Sequence, residues 1–502
     1  MEIIVKNGPI PKVEAELAVL GFFEGERMQS PLATIDRAMR GGLRKILSTE
    51  GFTGKFLQTI LIRPDRPKGL KRLILVGLGK REEITEDRLR QAMGKGATAA
   101  NAIGAHSIML DCDTRFVGKG TVRELAQTFV EGVILSLYTL DRLKSGAVKD
   151  KPIKQCVLVV PEQKQVAQGE KGGAQGKVIA EAVHFVRDLC NLPSNIVTPS
   201  YLAQEAKAIA DEGRMALTIL ERADAEKLGM GAYLAVARGT DEAPKFIVME
   251  YKGTTGERPI ALIGKSVTFD TGGISLKPSE RMEQMKYDMS GGATVLGVMK
   301  VISRLKLPVH VVAILPATDN MPSGSAVHPG DVVTALSGLT IEIDNTDAEG
   351  RLCLADALAY AARYKPRAMI DLATLTGACV VALGQHAIGM MGNQESLISE
   401  IKSAGEESGE RLWQLPLWDD YFDQIKGEVA DLKNVGGRGA GAITAGLFLK
   451  QFVGDIPWVH LDIAGTSWYS DAKHPYIPKG STGIGVRLLV RYLIKQSKRK
   501  KR

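Results

Sequence analysis

Apolar residues along this chain fall into short runs separated by stretches of helical spacing. Arg72–Leu78 (RLILVGL) is an apolar run of the length a buried strand needs. Asp87–Ala102 carries a helical pattern, and Cys156–Val160 (CVLVV) returns to a strand. This alternation predicts an α/β layer. Between Glu162 and Gly176 the composition turns polar and rich in Gly, Gln and Lys, which marks a boundary near residue 170. A helix from about Lys177 to Cys190, with Ile179, Ala182, Val183 and Val186 at helical spacing, follows it and bridges the two parts.

Beyond the bridge, Lys245–Tyr251, Ile260–Ile263, His310–Leu315 and Ala368–Leu372 are apolar runs bounded by turn residues. Helical patterns over Thr294–Leu305 and Arg351–Arg363 separate several of them, which predicts a mixed sheet sandwiched between helices. The expected fold class is therefore α/β in two domains. Residues 1–170 form a smaller N-terminal α/β domain with a structural or oligomerising task, and residues 171–502 form a larger C-terminal domain. A length of 502 residues, too long for one ordinary core, agrees.

Charge changes this picture little. The formal net charge is +8, but the tail over residues 495–502 (KQSKRKKR) holds six positive residues and no acid, so the rest carries only +2. A basic tail of this kind more often serves solubility than a specific site. Cys112, Cys156, Cys190, Cys353 and Cys379 are odd in number and scattered, which suits reduced buried thiols and neither a disulfide framework nor a thiolate metal site. Met1–Lys12 mixes charge and proline into its apolar residues, and no run approaches the roughly 18 apolar residues of a membrane span. A cytoplasmic protein with no membrane partner is expected.

Polar residues crowd three segments of the second part: GKSVTFDTGGISLKPS (Gly264–Ser279), KYDMSGG (Lys286–Gly292) and NTDAEGRL (Asn345–Leu352). Each follows a predicted strand or precedes a predicted helix, the usual place for sites in α/β proteins. Together they offer Asp270, Asp288, Asp347 and Glu349. Four converging carboxylates repel and take up protons unless cations neutralise them, and two divalent ions held by bridging carboxylates make a catalytic pair. Any one of these acids alone reads as a solvated loop residue. Lys265 at the strand end is a counter-ion or, with its proton lost, a metal ligand. Arg351 at a helix start, beside free backbone N–H groups, makes a small-anion pocket.

Two motifs are decoys. Gly264-Lys265-Ser266 imitates a phosphate loop, but Pro259 stands where its first glycine is required. Gly77-x-Gly79 lacks the third glycine of a dinucleotide fingerprint, with Glu82 at that position. The seven histidines form no metal-binding pair, and His460 is expected to pack at a strand end.

With these segments in view, the chain resembles the leucyl (cytosol) aminopeptidase family. NTDAEGRL matches that family's signature, and Lys265, Asp270, Lys277, Asp288, Asp347, Glu349 and Arg351 stand in its order and spacing. NLPSNIVTP (Asn191–Pro199), DLATLTGA (Asp371–Ala378) and HLDIAG (His460–Gly465) extend the likeness over the second domain, while the first resembles the family only loosely. The resemblance implies a metal-dependent exopeptidase that removes N-terminal, leucine-like residues from peptides. It implies two divalent ions, manganese or zinc, bridged by Asp270 and Glu349, with Lys265 and Asp288 completing the more exchangeable site and Asp347 the tighter one. Lys277 would polarise the scissile carbonyl, and Arg351 would hold a bicarbonate acting as general base on the attacking water. The substrate amine would meet one metal and Asp288. Met285, Thr374, Gly377 and Ala464 would line the side-chain pocket. A homohexamer, a dimer of trimers, is implied as well.

Ser266 and Thr271 stand where the family pattern has glycine and serine, and a Cβ at Ser266 strains the turn if that residue needs positive φ. Two other functions compete with peptidase action. A DNA-binding scaffold would use the basic tail, which leaves nucleic acid open as a partner. A two-metal phosphoesterase would use the same carboxylates.

Overall fold

The computed structural model describes residues 1–64, 70–114, 118, 120–146, 153–472 and 474–499. Lys500, Lys501 and Arg502 of the basic tail lie outside the described residues. The chain forms two compact units, one of Met1–His184 with Asp471–Lys479, the other of Phe185–Ser470 with Gly480–Arg502.

The first unit is built on a six-stranded sheet of β1 (Glu2–Asn7), β2 (Leu17–Phe23), β3 (Thr59–Ile62), β4 (Leu73–Gly79), β5 (Ser107–Asp111) and β6 (Gln155–Val160) in the order β1-β6-β5-β2-β4-β3. Only β3 runs antiparallel to its neighbour. The wholly buried β4 accounts for the unbroken apolar run read from the sequence. Helices Glu86–Ala102 and Val122–Ser136 begin with threonine caps. Thr85 accepts from the Arg88 amide, and Thr121 and Glu124 close a reciprocal capping box.

Glu162–Gly176, read from the sequence as a boundary, enters a 26-residue helix, Val166–Asn191. Its glycines serve close packing rather than flexibility. A Cβ at Gly172 would lie 2.1 Å from the Arg123 carbonyl, and one at Gly176 would lie 2.6 Å from that of Gln127. Composition alone does not distinguish a flexible glycine from one that lets two helices touch. Asp471–Lys479 also joins this unit, where the Tyr476 hydroxyl donates to Asp87.

The second unit carries β7 (Ala216–Leu220), β8 (Lys245–Lys252), β9 (Ile260–Gly264), β10 (Ser266–Asp270), β11 (His310–Asn320), β12 (Asp331–Thr334), β13 (Thr340–Ile343), β14 (Ala368–Ala373), β15 (Ile388–Gly392), β16 (Leu412–Gln414), β17 (Leu432–Lys433) and β18 (Trp458–Asp462). The main sheet has the order β16-β15-β18-β14-β9-β11-β8-β7, with β10 continuing alongside β11. The central β9, β11, β14 and β18 are parallel to their neighbours within that group, whereas β8 and β15 join it antiparallel, so the sheet is mixed as expected. Helices Ser290–Arg304 and Glu349–Ala362 have almost wholly buried sequences. One large core joins Phe246, Ile263, Val312, Leu352, Phe448 and Trp458.

All five cysteines are free and buried. Among the described residues no helix is long and apolar enough to cross a membrane. Lys495 does not fray. It lies in the helix Val486–Arg499, paired with Glu407 and 3.0 Å from the Ser403 hydroxyl.

A candidate two-metal active site

The parallel strands of the second unit deliver the site. Lys265 follows β9, Asp270 is the last residue of β10, and Thr374 follows β14. Asp288 stands just before the helix Ser290–Arg304, and Glu349 opens the helix Glu349–Ala362. Carboxyl ends of strands and amino ends of helices therefore meet at one place, where backbone N–H groups and helix dipoles favour anionic partners.

The side chains interleave acid and base. Lys265 Nζ lies 2.8 Å from Asp288 Oδ2 and 2.7 Å from Glu349 Oε1, and it donates to the Thr374 carbonyl at 3.0 Å. Lys277 Nζ lies 2.8 Å from Asp270 Oδ2 and also pairs with Asp347. Asp270, Asp347 and Glu349 each place a carboxylate oxygen within 4.8 Å of the other two. Asp288 is tied to that group through Lys265, which touches both it and Glu349.

Electrostatics follow from burial at close quarters. Burial raises the Asp288 carboxyl well above the usual range, and the charges of Glu349 and Asp270 push the same way against Lys265. Asp270 is raised by burial and then by Glu349, and Asp347 by burial and then by Asp270. Burial works against the Lys265 ammonium, but Asp288, Glu349 and Asp270 outweigh it and hold the amine well above its ordinary value. Lys277 is raised by the same balance. The free protein thus meets its crowded carboxylates with two ammonium groups, the substitution expected where cations are wanted.

The donor set fits divalent metal. Asp288 Oδ2, Asp347 Oδ1 and Glu349 Oε1 are buried and face lysine ammonium groups, so each already stands where a cation can be met. Oxygen donors with lysine amines among them suit hard or borderline dications. The set also has support behind it: Asn320 Nδ2 and the Gly272 amide both donate to Asp270 Oδ1, at 2.8 and 2.9 Å. The Thr374 hydroxyl donates to Asp288 Oδ1 at 2.6 Å. Such partners orient a metal's ligands.

Two glycines make room. At Gly272, φ +87°, a Cβ would lie 2.9 Å from Asp347 Oδ1 and 2.5 Å from the Ser275 carbonyl. At Gly350 it would lie 2.6 Å from Lys265 Cε. Arg351, the next residue, is buried, donates to the Asn434 carbonyl at 2.5 Å and leaves Nε without a hydrogen bond. Burial lowers its guanidinium to about 10, and Glu349 and Asp462 counteract this, so it stays charged at neutral pH.

The four residues expected to line a side-chain pocket adjoin the same strand ends. Half-buried Met285 accepts from the Asp288 amide through its carbonyl, and Thr374 holds Asp288. Gly377 opens a short helix whose cap, Thr376, donates to Asp462 Oδ2 at 2.7 Å, and the Ala464 amide donates to Asp462 Oδ1 at 3.1 Å. Sequence reasoning missed Asn320, Asn434 and Asp462, which carry no motif of their own. It also placed His460 at a strand end. His460 sits within β18, buried, with Nδ1 2.5 Å from Asp371 Oδ1, and Trp458 Nε1 donates to the other oxygen of Asp371 at 2.7 Å. Ser266 needs no positive φ. It is ordinary strand backbone, with its hydroxyl donating to the Gly264 carbonyl at 2.9 Å. Thr271 keeps the hydroxyl expected of it, donating to the Asn320 carbonyl at 2.8 Å.

Known proteins resemble this chain in sequence and fold. The family model for the catalytic domain of the cytosol aminopeptidase family matches residues 184–490, and that for the family's N-terminal domain matches residues 19–147. A probable cytosol aminopeptidase of Nitrosococcus oceani is 45% identical over 505 aligned residues, covering 100% of both chains. Another, of Geotalea uraniireducens, is 47% identical and covers 91% of this chain and 92% of its own. Among solved structures, a mutant tomato leucine aminopeptidase superposes with a TM-score of 0.87 at 35% identity, covering 99% of this chain and 96% of that one. The bottromycin maturation enzyme BotP in complex with Mn gives 0.84 at 32% identity, covering 96% and 100%. The chain belongs to the cytosol aminopeptidase family of metal-dependent N-terminal exopeptidases and is a hydrolase of that family.

Proposed function

We propose that this protein is a two-metal leucyl aminopeptidase, cleaving the N-terminal peptide bond of peptides with a preference for leucine-like residues. The observation that carries the reading is the alternation of four carboxylates with two lysines, three of the carboxylates within 4.8 Å of one another. Asp270, Glu349, Lys265, Asp288 and Asp347 would hold two ions, manganese or zinc. When bound, the ions supply Lewis-acid polarisation of the scissile carbonyl and a nucleophile at neutral pH.

The chain's own residues do the rest. Lys277, half-buried and held by Asp270 and Asp347, would meet negative charge developing on the scissile carbonyl oxygen. Asp288, fixed by the Thr374 hydroxyl, would receive the substrate's free ammonium, which restricts cleavage to the first residue. Arg351 and the start of its helix would hold a bicarbonate, which would supply a general base there. Met285, Thr374, Gly377 and Ala464 would receive the leucine-like side chain. The protein would work in the cytoplasm on peptides, as a homohexamer built as a dimer of trimers.

The test is hydrolysis of leucine p-nitroanilide after chelation and return of manganese, zinc, cobalt or magnesium, with the N-acetylated anilide as control. Activity that vanishes on chelation, returns with metal and ignores the blocked substrate is expected. Equal cleavage of the blocked anilide would remove the amine-binding role of Asp288.

A further inference from the structure

We infer that Arg438 receives the terminal carboxylate of short peptide substrates, so that peptides of one particular length with a free C-terminus are favoured. Arg438 lies in residues 434–441 (NVGGRGAG), and both ends of that segment are fastened to the candidate site. At one end Asn434 Oδ1 accepts from the Asp344 and Asn345 amides at 2.9 and 3.3 Å, and Nδ2 donates to the Asn345 carbonyl at 2.7 Å. The Asn434 carbonyl accepts from Arg351. At the other end Gly441 opens the helix Gly441–Lys450, where a Cβ would lie 3.0 Å from that of Ala378, the neighbour of Gly377 in the expected side-chain pocket. Residues 435–440 therefore run from the segment that carries Asp347, Glu349 and Arg351 to the segment that carries Gly377.

The loop is held in one shape. Ala440 takes the left-handed conformation at φ 59°, which a residue with a Cβ adopts at a cost, and its carbonyl accepts from the Thr444 amide at 2.9 Å. Among the glycines and alanine of residues 436–441, Arg438 is the single larger side chain. It is exposed and has no ion pair or hydrogen bond among the described residues. Beside it, a Cβ at Gly439 would meet nothing within 4 Å, so there is open space for a ligand. Charge then selects that ligand. Lys265 is spent on Asp288 and Glu349, Lys277 on Asp270 and Asp347, and Arg351 is buried. A peptide that gives its ammonium and first carbonyl to the metal site has one backbone charge left, the carboxylate at its far end. The planar fork of arginine matches a carboxylate with two parallel hydrogen bonds. An extended peptide grows by roughly 3.3–3.6 Å per residue, so a fixed loop meets that carboxylate at one length and misses it at others.

The inference rests on the N-terminal cleavage proposed above, and the test separates the two. On the manganese-loaded full chain, kcat/KM would be measured for Leu-Gly, Leu-Gly-Gly and Leu-Gly-Gly-Gly, and for the same peptides amidated at the C-terminus. The ratio of free acid to amide is expected to reach about tenfold at one of these lengths, the effect of a charge-assisted hydrogen bond. It should fall to near one in Arg438→Ala and recover in part in Arg438→Lys, which keeps the charge without the fork. A wild-type ratio near one at every length overturns the proposal. So does a ratio that Arg438→Ala leaves unchanged, whatever that variant does to the rates themselves. Leucine p-nitroanilide, cut in the same assay, reads the peptidase alone. Its hydrolysis beside a wild-type ratio near one removes the carboxylate site and spares the peptidase reading, whereas a protein that cuts neither anilide nor peptide overturns both.

Discussion

Gly350→Ala isolates the geometry of the metal site from its chemistry, because no proposed ligand changes. The added Cβ would lie 2.6 Å from Lys265 Cε, 2.7 Å from Nζ and 2.8 Å from Cδ, where ordinary contact begins at 3.4 Å. Lys265 must therefore retreat by about 0.8 Å, the difference between those two distances. A lysine in solvent would swing aside freely. This one is buried and gripped by Asp288, Glu349 and the Thr374 carbonyl at 2.7–3.0 Å, so its retreat stretches all three contacts. Misplacement of about 1 Å at a reacting centre costs on the order of a hundredfold in rate.

The backbone responds in the other direction. Gly350 has no positive φ and is the second residue of a helix, where alanine is favoured over glycine by roughly 0.5–1 kcal/mol. That gain opposes the clash, so melting temperature should move little while kcat for leucine p-nitroanilide falls about a hundredfold. Steady-state kinetics, metal content by mass spectrometry and thermal melts measure the three quantities together. Gly324→Ala is the control, since nothing lies within 4 Å of a Cβ there. A Gly350→Ala protein with full metal content and kcat within about twofold of wild type would refute the reasoning, because Lys265 would then tolerate displacement.

Three further outcomes are expected. Thr374→Val removes the hydroxyl 2.6 Å from Asp288 Oδ1, so metal affinity at the candidate site should fall by about 10- to 100-fold; competition with a fluorescent chelator measures it, and an unchanged affinity rejects the supporting role. Arg351→Lys keeps the charge but loses the planar fork that reaches Asn434, so kcat should drop about tenfold or more and lose any stimulation by added bicarbonate; a preserved response dissociates the anion from Arg351. Asp356 accepts from the Tyr233 and Leu336 amides at 2.8 and 2.7 Å, yet burial lifts its carboxyl from 3.8 to about 7. A folded value above the unfolded one stabilises fully below the unfolded value, and that contribution is lost as pH rises through the folded one. Wild type should therefore lose up to a few kcal/mol between pH 4 and 8 that Asp356→Asn does not, and urea curves running parallel across that range would contradict this.

The fold was legible where burial is extreme. β4 and β9 are buried along their whole length, so their sequences are apolar without interruption and read directly as strands. The helix Val166–Asn191 hid its first turns because Gly172 and Gly176 touch the backbone of another helix. Glycine at such a contact has the same letter as glycine in a linker, and only the neighbour tells them apart. The nine-residue return of Asp471–Lys479 to the first unit had no signal either. It depends on where chain segments distant in sequence come to lie.

The candidate site shows the same division for a different reason. Its charged residues were conspicuous because four carboxylates and two lysines crowded into three short segments have no cheap structural explanation. Asn320, Asn434 and Asp462 were not, because a lone amide or acid is ordinary anywhere in a chain, and their long-range hydrogen bonds reach partners 26 to 90 positions away. Gly350 stands between the two cases. It lies inside the most recognisable segment of the chain, but its purpose appears only when Lys265, 85 positions earlier, is seen filling the space a Cβ would occupy. Charge in a sequence therefore points to what a site must neutralise. The empty volume and the oriented dipoles that hold those charges in place are properties of packing, and they emerge only from the folded arrangement.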